Sequence, residues 1–222
     1  MIESGFIDKW FQEFKRYWSE ELHGRPIYLH DFYYLLGVYR QKFQEVETPD
    51  NANKADFLQS WQNSDTLYQL FGAVRRFSRD PLHCYRYEKW VSSGDSVLEY
   101  GCGLAPITHS LLTASLKRNL RLTIADIKQI NFHYARYRLG ERVKSFEITP
   151  YETNNINENY DVIFMMAVME HLPNPLDTVK HLSSLLRKNG FLVFDYIAGD
   201  GDGQDTIEAI EQRKDVLELI RS

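Results

Sequence analysis

The sequence has few cysteines, no excess of basic residues and no long apolar run, and each shortage excludes a class of protein. Its two cysteines, Cys84 and Cys102, are too few for the disulfide framework of a small secreted domain, so a reducing compartment is expected. The formal net charge of -5 argues against the basic surface of a nucleic-acid-binding protein. No run approaches the ~18 apolar residues that span a bilayer, and the first residues lack the basic segment of a signal peptide. We therefore expect a cytoplasmic protein with neither a nucleic-acid nor a membrane partner.

Residues 1–80 are predicted to form a helical cap. Aromatic and aliphatic residues recur there at three- and four-residue spacing, which places each set on one face of a helix. The first two sets are Phe6, Ile7, Trp10, Phe11, Phe14, Tyr17 and Trp18, then Leu29, Phe32, Tyr33, Leu36, Tyr39 and Phe43. A third helix carries Leu67, Leu70, Phe71 and Val74 behind a cap at Ser64. These faces either form a core or cover a ligand as a lid, in which case Tyr28, Tyr33 and Tyr34 would reach the pocket.

Residues 81–222 are predicted to form an α/β domain, because helical and extended patterns alternate there. Asp80 and Pro81 resemble an N-cap and a first helical position. The predicted strands after the first one are 120–126, 143–148, 160–166 and 191–197, and the predicted helices are 104–118, 128–139 and 175–188. Crossovers of this length pair strands in parallel, so a doubly wound sheet is expected in the order 3-2-1-4-5. A last helix is expected to begin at a capping box formed by Asp205 and Glu208.

A glycine-paired turn follows the first predicted strand, in the segment 97–106 with the sequence VLEYGCGLAP. Two glycines at a strand end, Gly101 and Gly103, let the backbone bend sharply and let a ligand approach it closely. Glu99 precedes the turn, and Asp126 ends the next predicted strand. Because ligands of open α/β sheets bind outside the carboxyl ends of the strands, both carboxylates are expected at a ligand site.

The residues of this turn separate two classes of nucleotide cofactor. The dinucleotide fingerprint G-x-G-x-x-G/A requires a small residue where this chain has Pro106, and Glu99 would repel a pyrophosphate. A nicotinamide dehydrogenase is therefore the weaker interpretation. The acid suits a cationic amino group instead, and the pattern resembles motif I of the class I S-adenosylmethionine-dependent methyltransferases.

The resemblance covers roughly residues 85–221, including the segments 160–175 and 186–195, which look like the family's fourth and fifth strands and their flanks. It implies S-adenosyl-L-methionine as the cofactor and a small-molecule acceptor. The family normally has two more strands, six and seven, for which 222 residues leave no room, so we expect either a truncated chain or another chain over the edge of strand five. The resemblance also implies a set of cofactor contacts: Glu99, Tyr100, Gly101, Cys102, Gly103, Asp126, Ile127, Met166 and Ala167. Two departures are that Ala105 replaces the third glycine of motif I and that the adenine contact is unassigned, with Glu147, Thr149 or backbone as candidates.

Methyl transfer to a hydroxyl needs a base, whereas an amine need only arrive unprotonated. His171 follows the fourth predicted strand, where the acceptor should meet the methyl group, and imidazole accepts protons near neutral pH. We predict His171 and Glu170 as catalytic residues, with a purely structural role for His171 as the alternative. His109 and His133 lie on predicted helices away from the strand ends and are expected to be surface or core residues.

The expected function is methylation, at oxygen rather than nitrogen, of a small molecule or biosynthetic intermediate such as a sugar or natural product. The alternative is a non-catalytic scaffold of the same fold or a heterodimer partner. No metal site is predicted, because Asp205 stands where a calcium loop would need glycine. A second copy or a partner chain is expected to cover the open edge of strand five.

Overall fold

The computed structural model describes residues 6–45, 61–62, 67–78, 85–149, 156–196 and 205–221. Three predicted N-terminal helices are confirmed: α1 (Phe6–Glu20), α2 (Leu29–Glu45) and α3 (Leu67–Ser78). The predicted caps at Ser64 and at Asp80 with Pro81 lie outside the described residues, and so does Cys84. A short 3₁₀ helix, Tyr85–Trp90, leads into the α/β part.

The predicted sheet order 3-2-1-4-5 is confirmed, with all four described pairings parallel. The strands are β1 (Ser96–Tyr100), β2 (Arg121–Asp126), β3 (Lys144–Glu147), β4 (Tyr160–Met165) and β5 (Leu186–Phe194). The helices are α4 (Pro106–Thr113), α5 (Ile130–Leu139), α6 (Pro175–Ser184), α7 (Ile207–Glu211) and α8 (Arg213–Arg221), with 3₁₀ helices at Gly140–Arg142 and Met169–His171.

Helices cover both faces of the sheet, and the alternation of side chains along each strand decides which residues meet which helix. On one face Leu98 and Ile163 join a core with Val179 of α6 and Val216 of α8. On the other face the strands meet two helices, α4 and α5. The residues of that second face are Val97, Leu122, Val162 and Phe164 with Ile107 and Leu111 of α4, and Ile124 with Phe132, Ala135 and Leu139 of α5.

Three predicted boundaries are corrected by hydrogen bonding. Helix α4 ends at Thr113 rather than at residue 118, because the buried carboxylate of Glu88 accepts hydrogen bonds from Ser115 Oγ (2.5 Å) and the Leu116 amide (3.0 Å). Strand β5 begins at residue 186 and not 191, with a shift of register against β4. The cap of α7 is Thr206, whose hydroxyl accepts from the Ala209 amide at 3.1 Å, and not the expected Asp205.

The aromatic faces of the N-terminal helices form a core against the α/β part. Phe14, Tyr17, Phe32 and Phe71 are fully buried in this cluster, which also includes Tyr134 of α5. The Tyr17 hydroxyl lies 2.9 Å from His133 Nδ1, and the Tyr137 hydroxyl donates to Glu20 at 2.8 Å. The core interpretation of these faces is therefore confirmed for α1, α2 and α3, while the domain boundary near residue 80 stays a prediction.

Strand β5 lies at one edge of the sheet, and no described strand pairs with its outer side. The exposed ring of Phe191 on β5 contacts Trp90, with ring centroids 5.4 Å apart. Coverage of this edge by a second copy or a partner chain stays a prediction. Within the described ranges, no helix has the length and apolar character needed to cross a membrane.

Candidate functional site

A cavity of about 190 Å³ lies at the carboxyl ends of the strands, where the glycine-paired turn was predicted to meet a ligand. Its walls come from the turn after β1, the start of α5, the end of β3 and the segment after β4. Seven of the eleven predicted site residues line it: Tyr100, Gly101, Gly103, Asp126, Ile127, Ala167 and His171. The doubly wound sheet thus brings residues 71 positions apart in sequence to one crevice, as expected for this fold.

The local structure favours glycine at both positions of the turn, for a different reason at each. Both have positive φ, +64° at Gly101 and +51° at Gly103, a region that residues with a Cβ rarely adopt. A Cβ at Gly101 would lie 2.4 Å from Val168 Cγ2, because the turn after β1 passes close to the segment after β4. A Cβ at Gly103 would meet no described atom within 4 Å, so this glycine presents bare backbone to the cavity.

Asp126 holds the turn in place from the end of β2. Its Oδ2 accepts a hydrogen bond from the Gly103 amide at 2.5 Å. Its Oδ1 accepts from the Ile127 amide at 2.7 Å and from Gln129 Nε2 at 2.8 Å. Burial raises the pKa of this carboxyl to about 6, although these hydrogen bonds act in the opposite direction. Since a carboxylate offers about four acceptor positions, one remains for a ligand.

Glu99 caps the start of α4 and does not line the cavity. It lies one residue before Tyr100 and so projects to the other face of the sheet, under the start of α4. Its two oxygens accept from the amides of Ile107 (3.1 Å) and Thr108 (2.7 Å), which are unsatisfied donors at a helix N-terminus. Burial is the largest effect on its pKa and raises it to about 7. Direct contact of Glu99 with a ligand is therefore not part of this geometry.

Three other predicted residues also lie outside the cavity wall. The side chain of Met166 packs with Phe164 and Val162 on the opposite face, as strand alternation requires. Cys102 packs against Ile124 on the α5 side, and burial raises the pKa of its thiol well above the usual value, which keeps it protonated. Glu170 is 5% exposed, and burial raises the pKa of its carboxyl as well.

His171 lies in the segment after β4 and lines the cavity, with the carboxylates of Asp205 and Glu170 nearby. Its Nδ1 lies 3.3 Å from Asp205 Oδ1, and its Nε2 lies 4.0 Å from Glu170 Oε1. The backbone of residues 205–206 is fixed there, because the Thr206 amide donates to the Glu170 carbonyl at 2.9 Å. Carboxylates thus lie near both ring nitrogens and orient the imidazole, and the ring can exchange a proton within this cluster at the cavity wall.

Residues 98–192 match the family model described as a methyltransferase domain. This match covers the turn, Asp126, the segment after β4 and most of β5, on the fold described above. This segment, 95 of the 222 residues, resembles the class I S-adenosylmethionine-dependent methyltransferases. The resemblance seen in the sequence is thereby confirmed.

Known proteins of this family resemble the chain over part of their length. A ubiquinone biosynthesis O-methyltransferase of Histophilus somni is 27% identical over 105 residues, which are 46% of this chain and 44% of that protein. The (S)-coclaurine N-methyltransferase of Papaver somniferum is 25% identical over 122 residues, 52% and 33% of the two chains. The chain thus spans less than half the length of these relatives. Among solved structures, a methyltransferase of Clostridium acetobutylicum superposes with a TM-score of 0.45 at 17% identity, over 59% of this chain and 56% of that one.

Several residues that line this cavity were missed by the sequence analysis. Trp61 reaches it from the N-terminal part, with its ring centroid 5.3 Å from that of His171. Gln129 and Asn131 line it from the start of α5, and Ile148 from the end of β3. Their positions depend on helix phase and tertiary packing, and no local motif marks them. The predicted lid tyrosines do not line the cavity, and Tyr28 and Tyr34 are exposed.

Proposed function

We propose that this protein transfers a methyl group from S-adenosyl-L-methionine to a hydroxyl oxygen of a small molecule such as a sugar or natural-product intermediate. The observation that carries the proposal is that one cavity joins the Gly103 and Asp126 cradle to the His171 and Asp205 pair. The Gly103 and Asp126 cradle is a site where a nucleoside can lie directly against the backbone. The His171 and Asp205 pair supplies a base that can take a proton from the acceptor.

The residues of the cradle fit this cofactor. The space in front of Gly103 admits a ligand against the backbone, and Asp126 keeps an acceptor position for a ribose hydroxyl. The cofactor supplies, when bound, an electrophilic methyl group on a cationic sulfur. Burial raises the pKa of both Glu99 and Asp126, and the interactions that lower these two pKa values are hydrogen bonds. Two buried acids with no compensating cation among the described residues favour a positively charged ligand over a pyrophosphate.

The acceptor side of the cavity supports oxygen over nitrogen. An alcohol or phenol must lose its proton during transfer, and His171 is placed to take it while Asp205 holds the ring. Trp61 and Leu172 give this side an apolar wall that keeps water away from the reacting atoms. The two relatives do not decide the question, since one is named for O-methylation and the other for N-methylation.

Alignment of three atoms, the nucleophile, the methyl carbon and the sulfur, is the main task of this site. Effective molarities of about 10⁵–10⁸ M show how much rate alignment alone can supply. The turn is fixed by the bond from Gly103 to Asp126, and the base is fixed by Asp205 and by the backbone of Thr206. The two ends of the cavity are therefore held in place by the end of β2 and by the residues just before α7.

Calorimetric titration with S-adenosylmethionine, S-adenosylhomocysteine and NAD tests the cofactor. We expect heat with the first two only, and at least about tenfold weaker binding by Asp126→Ala, because a buried hydrogen-bond partner is lost. Absence of heat with both sulfur nucleosides would refute the proposal.

Transfer of a labelled methyl group to a panel of hydroxylated metabolites then tests the chemistry. We expect His171→Ala to abolish transfer while binding of S-adenosylhomocysteine persists, whereas His30→Ala, at an exposed histidine of α2, leaves both unchanged. Full transfer by His171→Ala to a hydroxyl acceptor would contradict the assignment of the base. Binding without transfer to any acceptor would favour a non-catalytic scaffold.

A further inference from the structure

Among the residues that the structure describes, two buried side-chain oxygens at the start of α5 have no hydrogen-bond partner: Gln129 Oε1 and Asn131 Oδ1. Both residues line the cavity, next to Asp126. The orientation of the Gln129 amide is fixed, because its Nε2 donates to Asp126 Oδ1 at 2.8 Å and the reversed amide would set two oxygens against each other. The unpartnered atom of Gln129 is thus a true acceptor.

Asn131 is the more informative of the two, because it is 8% exposed and belongs to the first turn of α5. A buried acceptor without a partner costs about 1–3 kcal/mol, and unsatisfied groups of this kind are rare in native proteins. Helix α5 has ten residues and packs Phe132, Ala135 and Leu139 into the core beside the sheet. An uncompensated asparagine on a cavity wall therefore indicates that a ligand supplies the missing donor.

The surroundings of Asn131 indicate which part of a ligand lies there. Ile127 and Ile148 line the same region from the ends of β2 and β3 and offer apolar surfaces suited to a flat ring. A side-chain amide presents one acceptor and one donor side by side, the pattern that pairs with the amino group and ring nitrogen of adenine. Asp126, next to it, takes the ribose.

We propose that Asn131 binds the adenine ring of the cofactor, with its Oδ1 accepting a hydrogen bond from the 6-amino group. This inference rests on the proposed function and assigns the one contact of the cofactor that the sequence pattern left open. Asn131 is then a specificity residue, since it would distinguish an aminopurine from a purine without the amino donor.

The test compares two ligands and several proteins by calorimetric titration. The ligands are S-adenosylhomocysteine and its analogue with hydrogen in place of the 6-amino group. We expect the unaltered protein to bind the analogue about tenfold more weakly, the effect of one lost hydrogen bond to a buried acceptor. Asn131→Leu should bind S-adenosylhomocysteine about 10- to 100-fold more weakly and should no longer distinguish the two ligands. Asn159→Leu, at an exposed asparagine before β4, should behave as the unaltered protein does.

Thermal unfolding of the free proteins supplies an independent readout. Because leucine removes the unpartnered oxygen, Asn131→Leu should melt no lower than the unaltered protein while it binds the cofactor more weakly. If Asn131→Leu does not fold, Asn131→Ala is titrated instead, and it should likewise no longer distinguish S-adenosylhomocysteine from the analogue without the 6-amino group.

The outcomes separate this inference from the proposed function. If the unaltered protein binds neither ligand, the proposed function fails and this inference fails with it. If it binds S-adenosylhomocysteine but the Asn131 variants keep its affinity, or keep its preference for the amino group, the proposed function stands and the assignment of Asn131 is overturned.

Discussion

The buried carboxyl of Glu99 makes a pH-dependent contribution to stability that Glu99→Gln should remove. Its pKa rises from 4.5 to about 7 on folding, which corresponds to about 3 kcal/mol of free energy. Between these two values the folded protein binds a proton that the unfolded chain has lost. The stability contributed by this group is therefore fully present below pH 4.5, falls as the pH rises, and levels off above pH 7.

Glutamine resembles the protonated form of Glu99 in shape and in having one acceptor oxygen. Its amide nitrogen, however, cannot accept the second of the two backbone hydrogen bonds that Glu99 accepts, so at low pH the variant should be less stable than the unaltered protein by about 1–2 kcal/mol. As the pH rises, the unaltered protein should lose stability relative to the variant, by about 3 kcal/mol in total between pH 4.5 and pH 7.

Urea denaturation measures the difference in free energy of unfolding between the variant and the unaltered protein. The measurement is repeated at every half pH unit from pH 5 to pH 8, at constant ionic strength. Glu147→Gln, at an exposed glutamate at the end of β3, is the matched control and should show a difference that does not vary with pH. A gap between Glu99→Gln and the unaltered protein that stays constant over this range would refute the reasoning, because burial would then not disfavour the charged form.

Five further substitutions, one of them made together with Gly101→Ala, test the strand ends and the helical contacts. Gly101→Ala should cost about 2–4 kcal/mol in urea denaturation, because its Cβ would lie 2.4 Å from Val168 and φ is +64°. Val168→Ala in the same chain should recover part of that loss, and no recovery would contradict the contact. Ala167→Gly should raise the free energy of unfolding by about 1 kcal/mol, since Ala167 is exposed with φ 55°. Tyr17→Phe should cost about 1 kcal/mol through its lost hydrogen bond to α5, and an unchanged melting curve would argue against that bond. Thr206→Ala should lower stability by about 1–2 kcal/mol and loosen the backbone beside Asp205, which amide hydrogen exchange would detect.

The fold and the position of the site could be predicted because both depend on local signals. Alternating helical and extended patterns set the parallel order of the sheet, and paired glycines at a strand end mark a close approach of backbone and ligand. The direction of individual side chains was harder to predict. Strands buried on both faces are apolar throughout, so no polar alternation shows that Glu99 and Met166 face away from Tyr100 and the cavity.

Contacts between distant segments had no signal in the sequence at all. Asp205 was interpreted as a helix cap, because a capping pattern is local, whereas its position 3.3 Å from His171 depends on how α7 packs beside the segment after β4. The unpartnered oxygen of Asn131 depends on the rotation of α5, which a helix with apolar residues on several sides does not reveal. The roles of such residues can be inferred only from the hydrogen bonds and distances in the folded structure.

The segment after β4 shows how strain and positioning are combined at the cavity wall. Ala167 adopts a left-handed conformation, with φ 55°, and its amide donates to Asp195 Oδ1 at 2.5 Å. Residues in such conformations persist when their surroundings fix them, and they concentrate at functional sites. Here the carboxylate from the end of β5 supplies that restraint. The bend turns the chain so that Val168 closes over Gly101 and His171 comes to the acceptor side of the cavity. The strain at Ala167 is thus the structural condition for bringing the proposed base to the cofactor turn.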